Sequence, residues 1–226
     1  RIATKLISQD KIDTVSLGDP KHLNYHVIAN SELAINQSIK EMREMLRLVR
    51  MGLIVSYEAF KDKSYKKQIR VSKIEAAIDS LQREITLYLV AVNERTNADD
   101  IIQKIPALLH TVNDIEKIGD YTEEVNRILN YQISIQKLPL CPEFSAMIDD
   151  LHAKVMFMLD LSLEYLMEMK EDFSYKIIEM EGRINEQHHN LRGKILSEIQ
   201  NGDCDPAGGL NTIDYLDQVE VIADKL

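Results

Sequence analysis

Only two of the 226 residues are cysteine, Cys141 and Cys204, and both fall in predicted loops near proline or glycine. Two cysteines in a chain this long build no disulfide framework and suit a reducing, cytosolic compartment. Long apolar runs are missing too. A bilayer span needs about 18 consecutive apolar residues. The nearest approach, Val155 to Met167, is interrupted by Asp160 and Glu164. No direct membrane insertion is therefore expected of this stretch of chain, and no signal peptide opens it. Basic residues are outnumbered, 27 against 37 acidic, for a formal net charge of −10. Such a field repels nucleic acid and anionic lipid, so nucleic-acid binding is not expected. No run alternates apolar and polar in the manner of a strand. No glycine-rich phosphate loop occurs, since Gly208-Gly209 is too short, and no Ser/His/Asp or Cys/His arrangement stands out. The chain is not expected to be an enzyme.

What the chain does have is helical periodicity almost throughout. Residues 1–27, with Gly18 and Pro20, read as an irregular or linker segment. Helices are predicted over about 29–60, 69–93 and 97–131, the second with the stripe Ile74, Ile78, Leu81, Ile85, Tyr88 and Val92. Asn97 is the expected N-cap of the third, with Asp99 and Asp100 in its first turn. Pro106 is expected to kink that helix or mark its true start. The basic run KDKSYKK (61–67) reads as a solvated connection. After the Pro-rich junction at 138–142, helices are predicted over about 143–169 and 174–199. NGDCDPAGG (201–209) reads as a loop, and a sixth helix succeeds it from about 210. The expected fold is all-α: two tandem three-helix bundles, 28–137 and 138–226, related by an internal repeat. The sequence opens on Arg1 and stops at Leu226 inside a helical pattern. It is read as a piece of a longer protein whose last helix is cut, which leaves room for a membrane segment outside it.

The repeat carries chemistry. Glu75–Asp79 and Glu116–Asp120 sit on neighbouring predicted helices, and Glu181–Asn185 and Glu220–Asp224 repeat them in the second half. Residues four apart on a helix point the same way, roughly 6 Å apart, and like charges there cost a few tenths of a kcal/mol. Asn113, Glu116 and Asp120 share one face of the third helix, and Asp217, Glu220 and Asp224 share one face of the sixth. Each half therefore offers four carboxylates and one amide at the edge of a helix seam. Carboxylates that close stay ionised only beside a cation or with strongly raised pKa values. Oxygen donors suit magnesium, calcium and manganese, and also iron in carboxylate-bridged clusters. The candidate metal ligands are thus Glu75, Asp79, Asn113, Glu116 and Asp120, with Glu181, Asn185, Asp217, Glu220 and Asp224. Glu186 to His189 forms a single Glu-x-x-His, the di-iron motif, but that chemistry needs a second copy and none exists. His188 and His189 lie one turn past Asn185 and are near enough to supplement the second set.

NDIEKIGDYTEEV (113–125) resembles the third-helix signature of the PhoU family of phosphate-uptake regulators, and IEAAIDSLQREITLYL (74–89) resembles the matching second-helix motif. The resemblance covers about residues 28–226 and implies that family's duplicated three-helix fold. The stretch GDPKHLNYHVIANSELAINQSIKEMREML (18–46) resembles, more loosely, the segment joining the membrane domain of bacterial sodium/phosphate cotransporters to their PhoU-like C-terminal domain. By this resemblance, Glu75, Asp79, Glu116 and Asp120 match one motif pair, and Glu181, Glu220 and Asp224 the other. The resemblance further implies that the motifs hold polynuclear iron- or zinc-type metal sites, and that the protein restrains phosphate uptake without catalysing a reaction. Asn185 departs from the family's Asp, with Asp217 as the residue nearest to compensate. Lys117 and Tyr121 depart from its Arg and His.

The expected protein is a regulatory, metal-binding domain at the cytoplasmic face of the bacterial inner membrane. Its expected partner is its own transmembrane transporter domain or a separate phosphate transporter or sensor, and a homodimer is open to it. Iron or zinc are the expected metals, with magnesium and manganese as alternatives. Two other readings stand beside this one: a stand-alone cytoplasmic PhoU-type regulator, and a carboxylate-bridged metalloenzyme.

Overall fold

A computed structural model of the chain describes residues 17–62, 64–131, 144–168 and 170–226. Among these, the regular structure is a 3₁₀ turn at Tyr25–Val27 and six α-helices: α1 (Ser31–Asp62), α2 (Tyr65–Arg95), α3 (Asp99–Tyr131), α4 (Ser145–Glu168), α5 (Glu171–Asn201) and α6 (Pro206–Asp224). None is long and apolar enough to cross a membrane. The junction at 138–142 lies outside the described residues.

The helix ends differ from the sequence expectation for local reasons. The basic run does not form a long connection, because α1 continues to Asp62 and α2 opens at Tyr65. Asp99 and Asp100 fill the first turn of α3, where acidic groups suit the helix dipole, and the helix runs on through Pro106. The proline therefore does not mark the start. Gly202 ends α5 in the left-handed region, at φ 83°, with its N–H directed to the Glu198 and Ile199 carbonyls. The sixth helix then begins at Pro206 rather than near 210. Asp205 caps it by accepting from the Gly208 N–H at 2.9 Å, and proline suits the first helical position. One compositional expectation fails: Cys204 is disulfide-bonded, so it is not the free thiol a reducing compartment implies. Cys141 lies outside the described residues.

Helices α1, α2 and α3 pack on one another, and α4, α5 and α6 do the same. The two bundles also join, α1 against α4 and α3 against α6. One hydrophobic cluster runs through both, from Met42, Ile78 and Ile85 in the first bundle to Leu151, Ile184 and Leu216 in the second. Two ion pairs bridge the seam, Arg50 to Asp160 at 2.6 Å and Lys225 to Asp114 at 3.1 Å. Exposed pairs of this kind add at most about 1 kcal/mol each, so the shared apolar core carries the joint.

The segment before α1 is irregular but firmly held. Glu41, fully buried on α1, accepts from the backbone N–H groups of Lys21 and His22 at 2.9 and 2.6 Å. Charge-assisted bonds of this kind offset the cost of burying the carboxylate. The Tyr88 hydroxyl, on α2, lies 3.1 Å from the Asn24 carbonyl and 2.8 Å from Gln37 Oε1. Gly18 rests on α2 so closely that a Cβ there would meet Ala77 Cα at 3.1 Å, an approach that the absence of a side chain makes easy. Residues 17–27 thus strap the back of the helix that carries Glu75 and Asp79.

Candidate metal centre

The first acidic set lies on the seam of α2 and α3. Ile74, Ile78, Ile115 and Ile118 are almost wholly buried there. Gly119 faces Ile78, and a Cβ on it would stand 3.1 Å from Ile78 Cδ1. The missing side chain lets the two helices close up beside the acids. Glu75 and Asp79 are half-buried on α2, and Asp120 projects from α3. One carboxylate oxygen from each of these three lies within 4.8 Å of the others. Glu116 is half-buried next to them, and its pKa is raised by burial first and then by Asp120 and Asp79. Asp120 is raised by burial, Asp79 and Glu123. Asn113 Oδ1 accepts from Gln82 Nε2 at 3.1 Å, a neutral tie between α3 and α2.

Glu123 joins this set without having stood out in the sequence. It acts on both Glu75 and Asp120. The signal was present, because position 123 lies three residues past Asp120 and so shares its face.

Within this set the strongest perturbation falls on Glu75. Burial, the Asp79 and Glu123 charges, a hydrogen bond with Asp79 and then the Asp120 charge hold its carboxyl at about 7, against an ordinary 4.5. A proton shared between Glu75 and Asp79 relieves the repulsion when no cation does. The folded state therefore binds more protons than the unfolded chain between those two values. Stability of metal-free protein is expected to fall as pH rises through this window, by on the order of 1–2 kcal/mol after solvent screening. Urea denaturation in a chelator, compared with Glu75→Gln, reads this directly. A slope identical in the two proteins would remove Glu75 as its source.

The second set has the same number of acids and a different field. Glu181 Oε1 accepts from Asn185 Nδ2 at 2.6 Å. Asp217 is bound by Arg192 Nη1, 2.5 Å from each carboxylate oxygen, and by His188 Nε2 at 2.7 Å from Oδ1. Burial pushes the Asp217 pKa up, but these two partners outweigh it and hold the carboxyl below its ordinary value. Glu220 is raised by burial and then by Asp224, with His188 opposing. His189 is exposed. Among the described residues, the convergence of three acids at Glu75, Asp79 and Asp120 has no counterpart here.

Residues 42–129 match the family described as PhoU domain, a stretch that contains the whole first acidic set. The fold is also that of the crystal structure of PhoU from Pseudomonas aeruginosa. The two superpose with a TM-score of 0.78 over 86% of this chain and 92% of that one, at 17% sequence identity. No curated protein matches the chain in sequence.

The donor set of the first site fits a metal ion. It supplies three converging oxygens with a fourth carboxylate beside them, and burial together with the neighbouring acids raises the Glu75 carboxyl to about 7. Hard or borderline cations accept such oxygen sets.

Proposed function

We propose that this protein is a metal-binding regulator of phosphate homeostasis, acting from the cytoplasmic side on a sodium-dependent phosphate transporter. The observation that carries this reading is the convergence of Glu75, Asp79 and Asp120 oxygens within 4.8 Å, inside the part of the chain that matches the PhoU domain. Glu75, Asp79, Glu116 and Asp120 would hold iron or zinc, with manganese and magnesium compatible with the same oxygens. Asn113 would lie at the rim through its tie to Gln82. A metal held there would supply charge that fixes α2 against α3, and the bundle's outer faces would then meet the transporter in one arrangement.

A second reading, a stand-alone PhoU-type regulator, draws on the length of the match: the chain covers 92% of the solved PhoU. In that case the partner is a separate transporter or sensor chain. Under both readings, uptake of radiolabelled phosphate by cells carrying the intact gene is expected to respond to external phosphate. Cells carrying Glu75→Gln/Glu116→Gln are expected to lose that response. Identical uptake curves across the whole phosphate range would sink the regulatory reading.

A further inference from the structure

We infer that the second acidic set is closed by the protein's own cations, Arg192 and His188, and that metal loads the first bundle alone. The inference rests on the metal reading of the first set and adds which half of the repeat it applies to.

The internal repeat places the two ties at matching positions. With Glu75 set against Glu181, Gln82 stands where His188 does and Thr86 where Arg192 does; with Glu116 set against Glu220, Asn113 stands where Asp217 does. The structure ties the same positions across the seam in both halves. In the first, Gln82 Nε2 donates to Asn113 Oδ1 at 3.1 Å. In the second, His188 meets Asp217 at 2.7 Å and Arg192 joins at 2.5 Å. Asp217 therefore occupies the tie position and does not replace the acid missing at Asn185. The neutral tie of the first half brings no charge to its acids. The ionic tie of the second half places a permanent positive charge beside its acids.

A cation approaching the second set meets three obstacles. Both oxygens of Asp217 are already engaged by a guanidinium, a group that does not deprotonate in proteins. Glu181 Oε1 is occupied by the Asn185 amide. The acids left are Glu220 and Asp224, both on α6, and α5 adds only the second oxygen of Glu181. His188 is mostly enclosed and directs its Nε2 at Asp217, so it is committed to the tie.

The test is uptake of zinc(II) and manganese(II) by the full chain, measured by elemental analysis after desalting. Wild-type protein is expected to hold metal, Glu75→Gln/Asp120→Asn to lose all of it, and Glu220→Gln/Asp224→Asn to keep all of it. Asn185→Asp/Arg192→Ala is expected to gain additional metal. Loss of part of the metal from Glu220→Gln/Asp224→Asn would overturn the inference. If wild-type protein holds no metal, the metal reading of the first set fails instead. The closure is then decided by melting in a chelator. Asp217→Asn is expected to lower Tm, because it strips Arg192 and His188 of their partner, whereas Glu116→Gln is expected to raise it. A raised Tm for Asp217→Asn would overturn the closure.

Discussion

Protein in which Glu75 is glutamine and Asp120 asparagine is expected to bind zinc(II) or manganese(II) at least about 100-fold more weakly than wild type. Removing partners that merely orient a ligand typically costs about 10–100-fold, and here two ligands lose their charge. One comes from α2 and one from α3, so neither helix retains a full share of the three converging oxygens. The same variant should be more stable than wild type when metal-free. Burial and the neighbouring acids raise the pKa of both residues, so neutral amides relieve strain that the carboxylates carry. Relief of like charges at helix spacing is worth a few tenths of a kcal/mol per pair. Opposite signs in binding and stability separate a functional cluster from a structural one. Titration calorimetry and melting in a chelator give both numbers, and unchanged affinity would end the ligand assignment.

A loss of stability is expected where no acid is touched. Gly119→Leu places a Cβ 3.1 Å from Ile78 Cδ1 and 3.2 Å from Ile78 Cγ2, and then adds three more carbons in a seam where Ile78 is 2% exposed. Overpacking of this size costs about 1–3 kcal/mol and sometimes more. The helices can accommodate the side chain only by moving apart, which also separates Asp79 from Asp120. Metal affinity should therefore fall although every ligand is intact. Gly182 is the control. A Cβ there meets nothing within 4 Å, so Gly182→Ala in α5 should gain roughly 0.5–1 kcal/mol from helix propensity. A denaturant series on both variants decides it, and equal effects would show that Gly119 is no closer-packed than a surface glycine.

The helical architecture is legible in the sequence because burial has a single period. Ile74, Ile78, Leu81 and Ile85 form one stripe by spacing, and all four are nearly fully buried. Helix ends are less legible. Asp205-Pro206 combines a cap and a first-turn proline, yet among the glycines of 202–209 it reads as loop. The docking of residues 17–27 is invisible for a different reason: the segment's own composition is irregular, and its anchors, Glu41 and Tyr88, belong to other elements. The acids are found by spacing within one helix. Their electrostatic state is not, because the groups that decide it lie across the seam. Arg192 and His188 are 25 and 29 residues from Asp217, and counting carboxylates along the chain gives the two acidic sets the same −4.

The core that runs unbroken from Ile78 to Leu216 makes the two bundles one cooperative body. A ligand present at 100 times its Kd stabilises the native state by about 2.7 kcal/mol, and that free energy belongs to whatever unfolds together. Amides in α4 and α6, far from any carboxylate of the first set, would then exchange with solvent more slowly once the first set is loaded. Occupancy at one end of the molecule is in this way legible at surfaces of the other, without any displacement of the backbone between them.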